Sequence, residues 1–116
     1  MRKEVKLVTA AGIQPHVHCR GITVRRLVTR TREGAQKVML GIMSMEPRSE
    51  EHRFTNPDKE EAYYVVKGTI TIQWDNNRLD AKEGQAVFLP PGFRYSESNR
   101  TDGPALVVYA LAPPLE

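Results

Sequence analysis

The chain has 116 residues, 40% of them hydrophobic and 27% charged, and a net charge of +3. That length suits one domain with one core, able to bury roughly two-thirds of its unfolded surface without metal or disulfide staples. The charge is too small to argue for nucleic acid, the single cysteine (Cys19) rules out an internal disulfide, and no apolar run approaches the roughly 20 residues that a membrane helix needs.

The N-terminal stretch MRKEVKLVTAAG lacks the sustained apolar core of a signal peptide, so a cytoplasmic location is expected. Residues 1–20 read as an arm ahead of the main fold, an edge or interface element. His16 and His18 stand at i, i+2, on one face of an extended segment, beside Cys19. With no third ligand in the local sequence, no metal is assigned to them.

Next come candidate strands, short runs rich in β-branched and aromatic residues that are cut by Gly, Pro and Asn. They are Ile22–Thr29, Gln36–Met45, Ala62–Val66, Thr69–Trp74, Ala86–Leu89 and Ala105–Leu111. Residues 1–40 carry nine Lys/Arg against Glu4 and Glu33, whereas the remainder carries eight basic and twelve acidic residues. These basic residues form either a solvated strand face or a wall for an anionic ligand or an acidic partner surface. Met39, Gly41, Met43 and Met45 share one side of their strand, where the methionines suit an adaptable core or pocket wall. The glycine there implies a bulge or a close backbone approach.

Residues 47–61, PRSEEHRFTNPDKEE, are expected to form a long polar loop. Lys67-Gly68 is expected to be a tight hairpin link, Asp75-Asn76-Asn77 a second turn and Glu83-Gly84 a third. Pro90-Pro91-Gly92 ends its strand, because proline cannot donate to a ladder. No apolar period of 3.6 residues persists beyond one or two turns. Tyr63 and Val65 share the parity of Glu61, and Trp74 at a strand end reads as core rim or interface. The tail Ala112–Glu116 reads as extended. The fold class is therefore all-β, a sandwich or barrel.

One segment is more specific. In GQAVFLPPGFRYSESN, Gly84, Pro90, Gly92, Tyr95 and Asn99 follow G-x5-P-x-G-x2-Y-x3-N. This resembles the second signature of the cupin family, G-x5-P-x-G-x2-H-x3-N, with Tyr95 in the histidine position. The first signature, G-x5-H-x-H-x3-4-E-x6-G, is half present: Glu61 and Gly68 satisfy its end, and its paired histidines fall on Phe54 and Asn56. The resemblance covers about residues 20–112. It implies a double-stranded β-helix (jelly-roll) barrel, one domain over 1–116 with its core at about 21–112, a small-molecule cavity, and a homodimer that packs or swaps its N-terminal strand.

The resemblance also implies a metal held by three histidines and a glutamate. This chain offers Phe54, Asn56, Glu61 and Tyr95 in those positions. Phenylalanine cannot coordinate, an asparagine amide is a poor ligand for imidazole-loving metals, and tyrosine would need deprotonating. No metal and no other cofactor is therefore expected.

Glu61 in an apolar barrel would have its charged form disfavoured and its pKa raised toward neutrality, making it a usable acid or base. Tyr95 would be its hydrogen-bonding partner and His52 a second base. Asn56, Phe54, Tyr63, Met43 and Phe88 would line the ligand site. The expected activity is that of a metal-independent isomerase, lyase or cyclase acting on a small organic molecule, with an anionic one suited to the basic strands. Neither nucleic acid nor a membrane is expected as a partner. Two alternatives remain open: a non-catalytic binding or sensing module, and a metal-dependent dioxygenase or isomerase using His52, Glu61 and Tyr95.

Overall fold

In the computed structural model of the chain, residues 4–115 are described; Met1, Arg2 and Lys3 of the basic segment and Glu116 of the tail lie outside them. Among the described residues ten strands form: β1 (His16–Cys19), β2 (Ile22–Val28), β3 (Met39–Met45), β4 (His52–Thr55), β5 (Glu60–Lys67), β6 (Thr69–Trp74), β7 (Asn77–Lys82), β8 (Ala86–Leu89), β9 (Arg94–Ser98) and β10 (Ala105–Ala112). They make a six-stranded sheet in the order β1-β2-β3-β10-β5-β8 and a four-stranded sheet in the order β4-β9-β6-β7. Every pairing is antiparallel. The architecture is the expected all-β jelly roll. No helix among the described residues is long and apolar enough to cross a membrane.

Alternation along the strands builds the core. Met39, Gly41, Met43 and Met45 of β3 face inward, as do Glu61, Tyr63 and Val65 of β5 and Val107, Tyr109 and Leu111 of β10. Ile70 and Ile72 answer from the smaller sheet. Each fully buried aliphatic side chain contributes about 1.5–3 kcal/mol. Gly41 is the expected close approach: it pairs with Tyr109, whose ring lies 2.3 Å from where a Cβ would stand. A side chain there would displace the tyrosine that floors the cavity.

Three expectations need correction. Lys67-Gly68 is not a hairpin link, because β5 pairs with β10 and β8 whereas β6 pairs with β7 and β9. It is a corner where the chain changes sheets. Gly68 has φ 78°, and a Cβ there would stand 2.4 Å from the Pro104 carbonyl oxygen. The polar segment 47–61 is not all loop, since β4 runs through it. β7 and β9 add further strands where no strand was expected, β1 forms within the N-terminal arm, and the strand expected from Gln36 starts at Met39. The Asp75-Asn76 turn does close a two-residue hairpin, with Trp74 opposite Asn77 and Asp75 at φ 50°.

The glycine- and proline-rich segment holds its place through backbone geometry and Asn99. That side chain is fully buried and donates to the carbonyls of Met45 (3.3 Å) and Gly103 (2.8 Å). Its oxygen accepts from the Thr101 amide at 3.0 Å. Asn99 thus ties the end of β9 to the end of β3 and to the turn before β10.

Candidate functional site

Between the sheets lies a cavity of about 90 Å³ whose lining includes His18, Arg26, Met43, His52, Phe54, Asn56, Glu61, Tyr63, Glu97 and Tyr109. The half-buried His18, His52, Phe54 and Asn56 form its mouth, together with the exposed Leu115.

β5 places Glu61 at the centre, 8% exposed. Asn56 Nδ2 donates to Glu61 Oε1 at 2.5 Å, and the Tyr63 hydroxyl is a second hydrogen-bonding partner. Burial, reinforced by the nearby Glu97 charge, raises the Glu61 pKa to about 7, while the contacts from Asn56 and Tyr63 pull it back. A carboxyl poised there exchanges a proton readily at neutral pH.

β9 supplies a second buried carboxylate, Glu97, 2% exposed. The Tyr63 hydroxyl donates to its Oε1 at 2.6 Å. His52 Nδ1 lies 2.8 Å from its Oε2, where a ring N–H donates to the carboxylate. A continuous line therefore runs Asn56–Glu61–Tyr63–Glu97–His52 across the cavity. His18 stacks on His52, with ring centroids 4.2 Å apart and planes within 5°. Burial, and then the neighbouring His52, His16 and Arg26, lowers the His18 pKa to about 4, so it is neutral at pH 7. Burial raises the phenol pKa of Tyr63, and it lifts that of Tyr109 to about 12 against the opposing pull of Arg26, which hydrogen-bonds it.

Most of the residues expected to line a site come together here: His52, Phe54, Asn56, Glu61, Tyr63 and Met43. Two do not. Tyr95 is buried, but its hydroxyl donates to the Pro90 carbonyl at 2.6 Å and its ring packs on Phe54 and Phe93. The partner expected for Glu61 is therefore replaced by Asn56 and Tyr63. Phe88 points outward, 61% exposed, because β8 turns Val87 and Leu89 inward. His18 and Glu97 were not anticipated. Glu97 shares the parity of Tyr95 two residues earlier, which was a usable signal. His18 was marked by the His16-x-His18 spacing, but its place beside His52 was not, because the β1–β2 register slips between Val17 and Cys19.

The four positions that would carry a metal by resemblance do not fit one. Phe54 has no donor atom, the Tyr95 hydroxyl serves Pro90, and the Asn56 amide donates to Glu61.

A family model for the cupin domain matches residues 41–111. Protein SchB of Streptomyces halstedii is 27% identical over 111 residues, covering 96% of this chain and 80% of its own length. The tetracenomycin polyketide synthase protein TcmJ of Streptomyces glaucescens is 25% identical over 96 residues, or 83% of this chain, which spans 64% of TcmJ. Among solved structures, the polyketide cyclase RemF from Streptomyces resistomycificus has a TM-score of 0.80 at 18% identity, over 96% of this chain and 83% of that one. KdgF from Halomonas sp. also has a TM-score of 0.80, at 12% identity over 97% of each chain. At such identities the structural likeness is one of fold.

Proposed function

This chain belongs to the cupin domain family, and from that premise we propose that it is a cyclase or isomerase that moves a proton at carbon beside a carbonyl. The observation that carries the proposal is Glu61, a buried carboxyl with a pKa near 7 at the centre of the cavity. Polyketide chains are the favoured substrate class. Their methylene carbons, flanked by two carbonyls, are acidic enough for a carboxylate base. The similarity to TcmJ and to the fold of the polyketide cyclase RemF supports that class.

In the proposed reaction, ionised Glu61 takes a proton from such a carbon. The electrons of the broken C–H bond form an enolate. For ring closure, the enolate carbon bonds to another carbonyl carbon of the same molecule, and the resulting alkoxide recovers the proton from Glu61. For isomerisation, the proton returns at a different atom. Asn56 and Tyr63 orient the carboxyl, and the Arg26 cation in the cavity wall balances charge developing on oxygen. The cavity is small, about 90 Å³, so it takes the reacting segment while the rest of a larger substrate lies at the mouth.

A soluble linear triketone tests this by exchange of its methylene protons in deuterated buffer, followed by NMR. Wild-type protein should accelerate exchange, and Glu61→Gln should lower kcat by roughly 10²–10⁴-fold with KM within a few-fold. Unchanged turnover in Glu61→Gln would remove Glu61 as the base. Ligand binding without exchange or ring closure in the wild type would make the domain a binding module instead.

A further inference from the structure

His18 from β1, His52 from β4 and Glu97 from β9 meet at the mouth of the cavity, each offering a ligand atom within 4.8 Å of the others. We propose that these three residues bind a divalent transition-metal ion of the zinc, cobalt or nickel class, in a site displaced by one strand repeat from the family's metal positions. The inference goes beyond the proton-transfer proposal and stands without it.

Register explains the displacement. On the β4–β9 pair, Phe54 stands opposite Tyr95 and His52 opposite Glu97. Side chains two apart along a strand share a face. Moving two residues along both strands therefore exchanges a pair that does not fit a metal for an imidazole and a carboxylate on the same inward surface. The third donor comes from β1. His18 is the extra residue where the β1–β2 register slips, and a bulge re-aims the side chain it carries.

The donor chemistry suits such an ion. Two imidazoles and a carboxylate are a common catalytic zinc set, and imidazole also suits nickel and cobalt. Glu97 is buried and is oriented by the Tyr63 hydroxyl, a supporting contact of the kind that fixes metal ligands. Two buried carboxylates, Glu61 and Glu97, share the cavity, with Arg26 the one Lys or Arg in its lining. A divalent cation would offset that excess negative charge. Bonds of ~2.1 Å to a tetrahedral ion hold ligand atoms about 3.4 Å apart. The rings of His18 and His52 must therefore leave their parallel stack, and the His52–Glu97 hydrogen bond is exchanged for metal bonds. Three protein ligands leave a coordination position facing the cavity, where a carbonyl or enolate oxygen could be polarised.

Untagged full-length protein, stripped by chelator and dialysed, is titrated with cobalt(II) and then challenged with zinc(II). One cobalt per chain should bind, with ligand-field absorption that zinc abolishes. His18→Ala and Glu97→Gln, each checked for folding by circular dichroism, should weaken cobalt binding by about 100-fold or more, a loss at least as large as that from removing a supporting contact. Glu97→Gln keeps an acceptor for Tyr63, so it covers the case in which one variant misfolds. Asn56→Ala should leave cobalt affinity within a few-fold. The proposal is overturned if the folded wild type binds no stoichiometric cobalt, if His18→Ala binds it unchanged, or if Asn56→Ala and Tyr95→Phe abolish binding while Glu97→Gln does not. The last result would return the ion to the positions implied by the family resemblance.

Discussion

Glu61 is the residue on which most of the chemistry turns, and its position was readable from the family signature and from strand parity. Its surroundings were only half readable. Tyr95 was legible as a departure from the motif, but its hydrogen bond to Pro90 depends on how the Pro90-Pro91-Gly92 turn folds back. Phe88 was misplaced because Ala86–Leu89 is apolar throughout, so the sequence of β8 gives no parity. The raised Glu61 pKa has a consequence for stability. Between the unfolded value of 4.5 and the folded value of about 7, the native state holds more protons than the unfolded state. Stability from this group is therefore present below that window and falls as pH rises through it, by roughly 3 kcal/mol in all. Glu61→Gln removes the loss. In chelator-treated protein, its stability relative to wild type should be near zero at pH 4.5 and rise to about 3 kcal/mol above pH 8, by urea unfolding. A difference independent of pH would mean that burial does not perturb this carboxyl. The groups facing Glu61 are Glu97, Tyr63, Tyr109, Arg26, His18, His52 and Asn56.

At the scale of strands, legibility followed what each strand does. β3, β5, β6, β8 and β10 carry apolar inward faces and were found from pattern. β4, β7 and β9 read HRFT, NRLDAK and RYSES. Two of these line the cavity, and their inward positions hold His52 and Glu97, so polar side chains replace the apolar alternation that marks a strand. The Gly68 corner was located correctly and misassigned in role, since a hairpin and a sheet change look alike until the pairing is known. Gly68→Ala should cost about 3 kcal/mol, combining a left-handed backbone with the clash against Pro104; thermal unfolding at neutral pH measures it. Asn99→Ala should cost roughly 2–4 kcal/mol by removing the fully buried amide that joins the Met45 and Gly103 carbonyls to the Thr101 amide. Because Asn99 does not line the cavity, its triketone exchange rate at 20 °C should stay within a few-fold of wild type. A large loss of rate in a folded Asn99→Ala protein would mean that the turn positions the site after all.

For the whole molecule, the two sheets present unlike outer surfaces. The outward positions of β3, β10, β5 and β8 form in-register apolar rows: Leu40, Ala110, Ala62 and Phe88, then Ile42, Val108, Tyr64 and Ala86. Phe88 is 61% exposed and Tyr64 50%. An uncharged apolar face of this kind matches itself across a two-fold axis, and exposed patches of such breadth mark contact surfaces. We propose a homodimer through this face, in place of the packed or swapped N-terminal strand that the family resemblance implied: sedimentation equilibrium should give twice the 13.1 kDa chain mass, and Tyr64→Glu with Phe88→Glu should give the monomer. A wild-type monomer at 100 µM would remove this face as the contact. An all-β sandwich or barrel was legible from strand spacing and punctuation, and the jelly roll from the resemblance carried by the glycines and prolines of residues 84–99, whose backbone roles do not depend on what the cavity holds. Much of the cavity lining was legible too, but the meeting of His18, His52 and Glu97 at its mouth was not, because it arises from strand pairing and a register slip. Every functional proposal for the cavity except the metal site rests on Glu61 being half-ionised near neutral pH. The most direct measurement is a carbon-13 NMR titration of the Glu61 side-chain carboxyl in chelator-treated protein. A midpoint at about 7 is predicted, and a midpoint at the ordinary carboxyl value near 4.5 would contradict it.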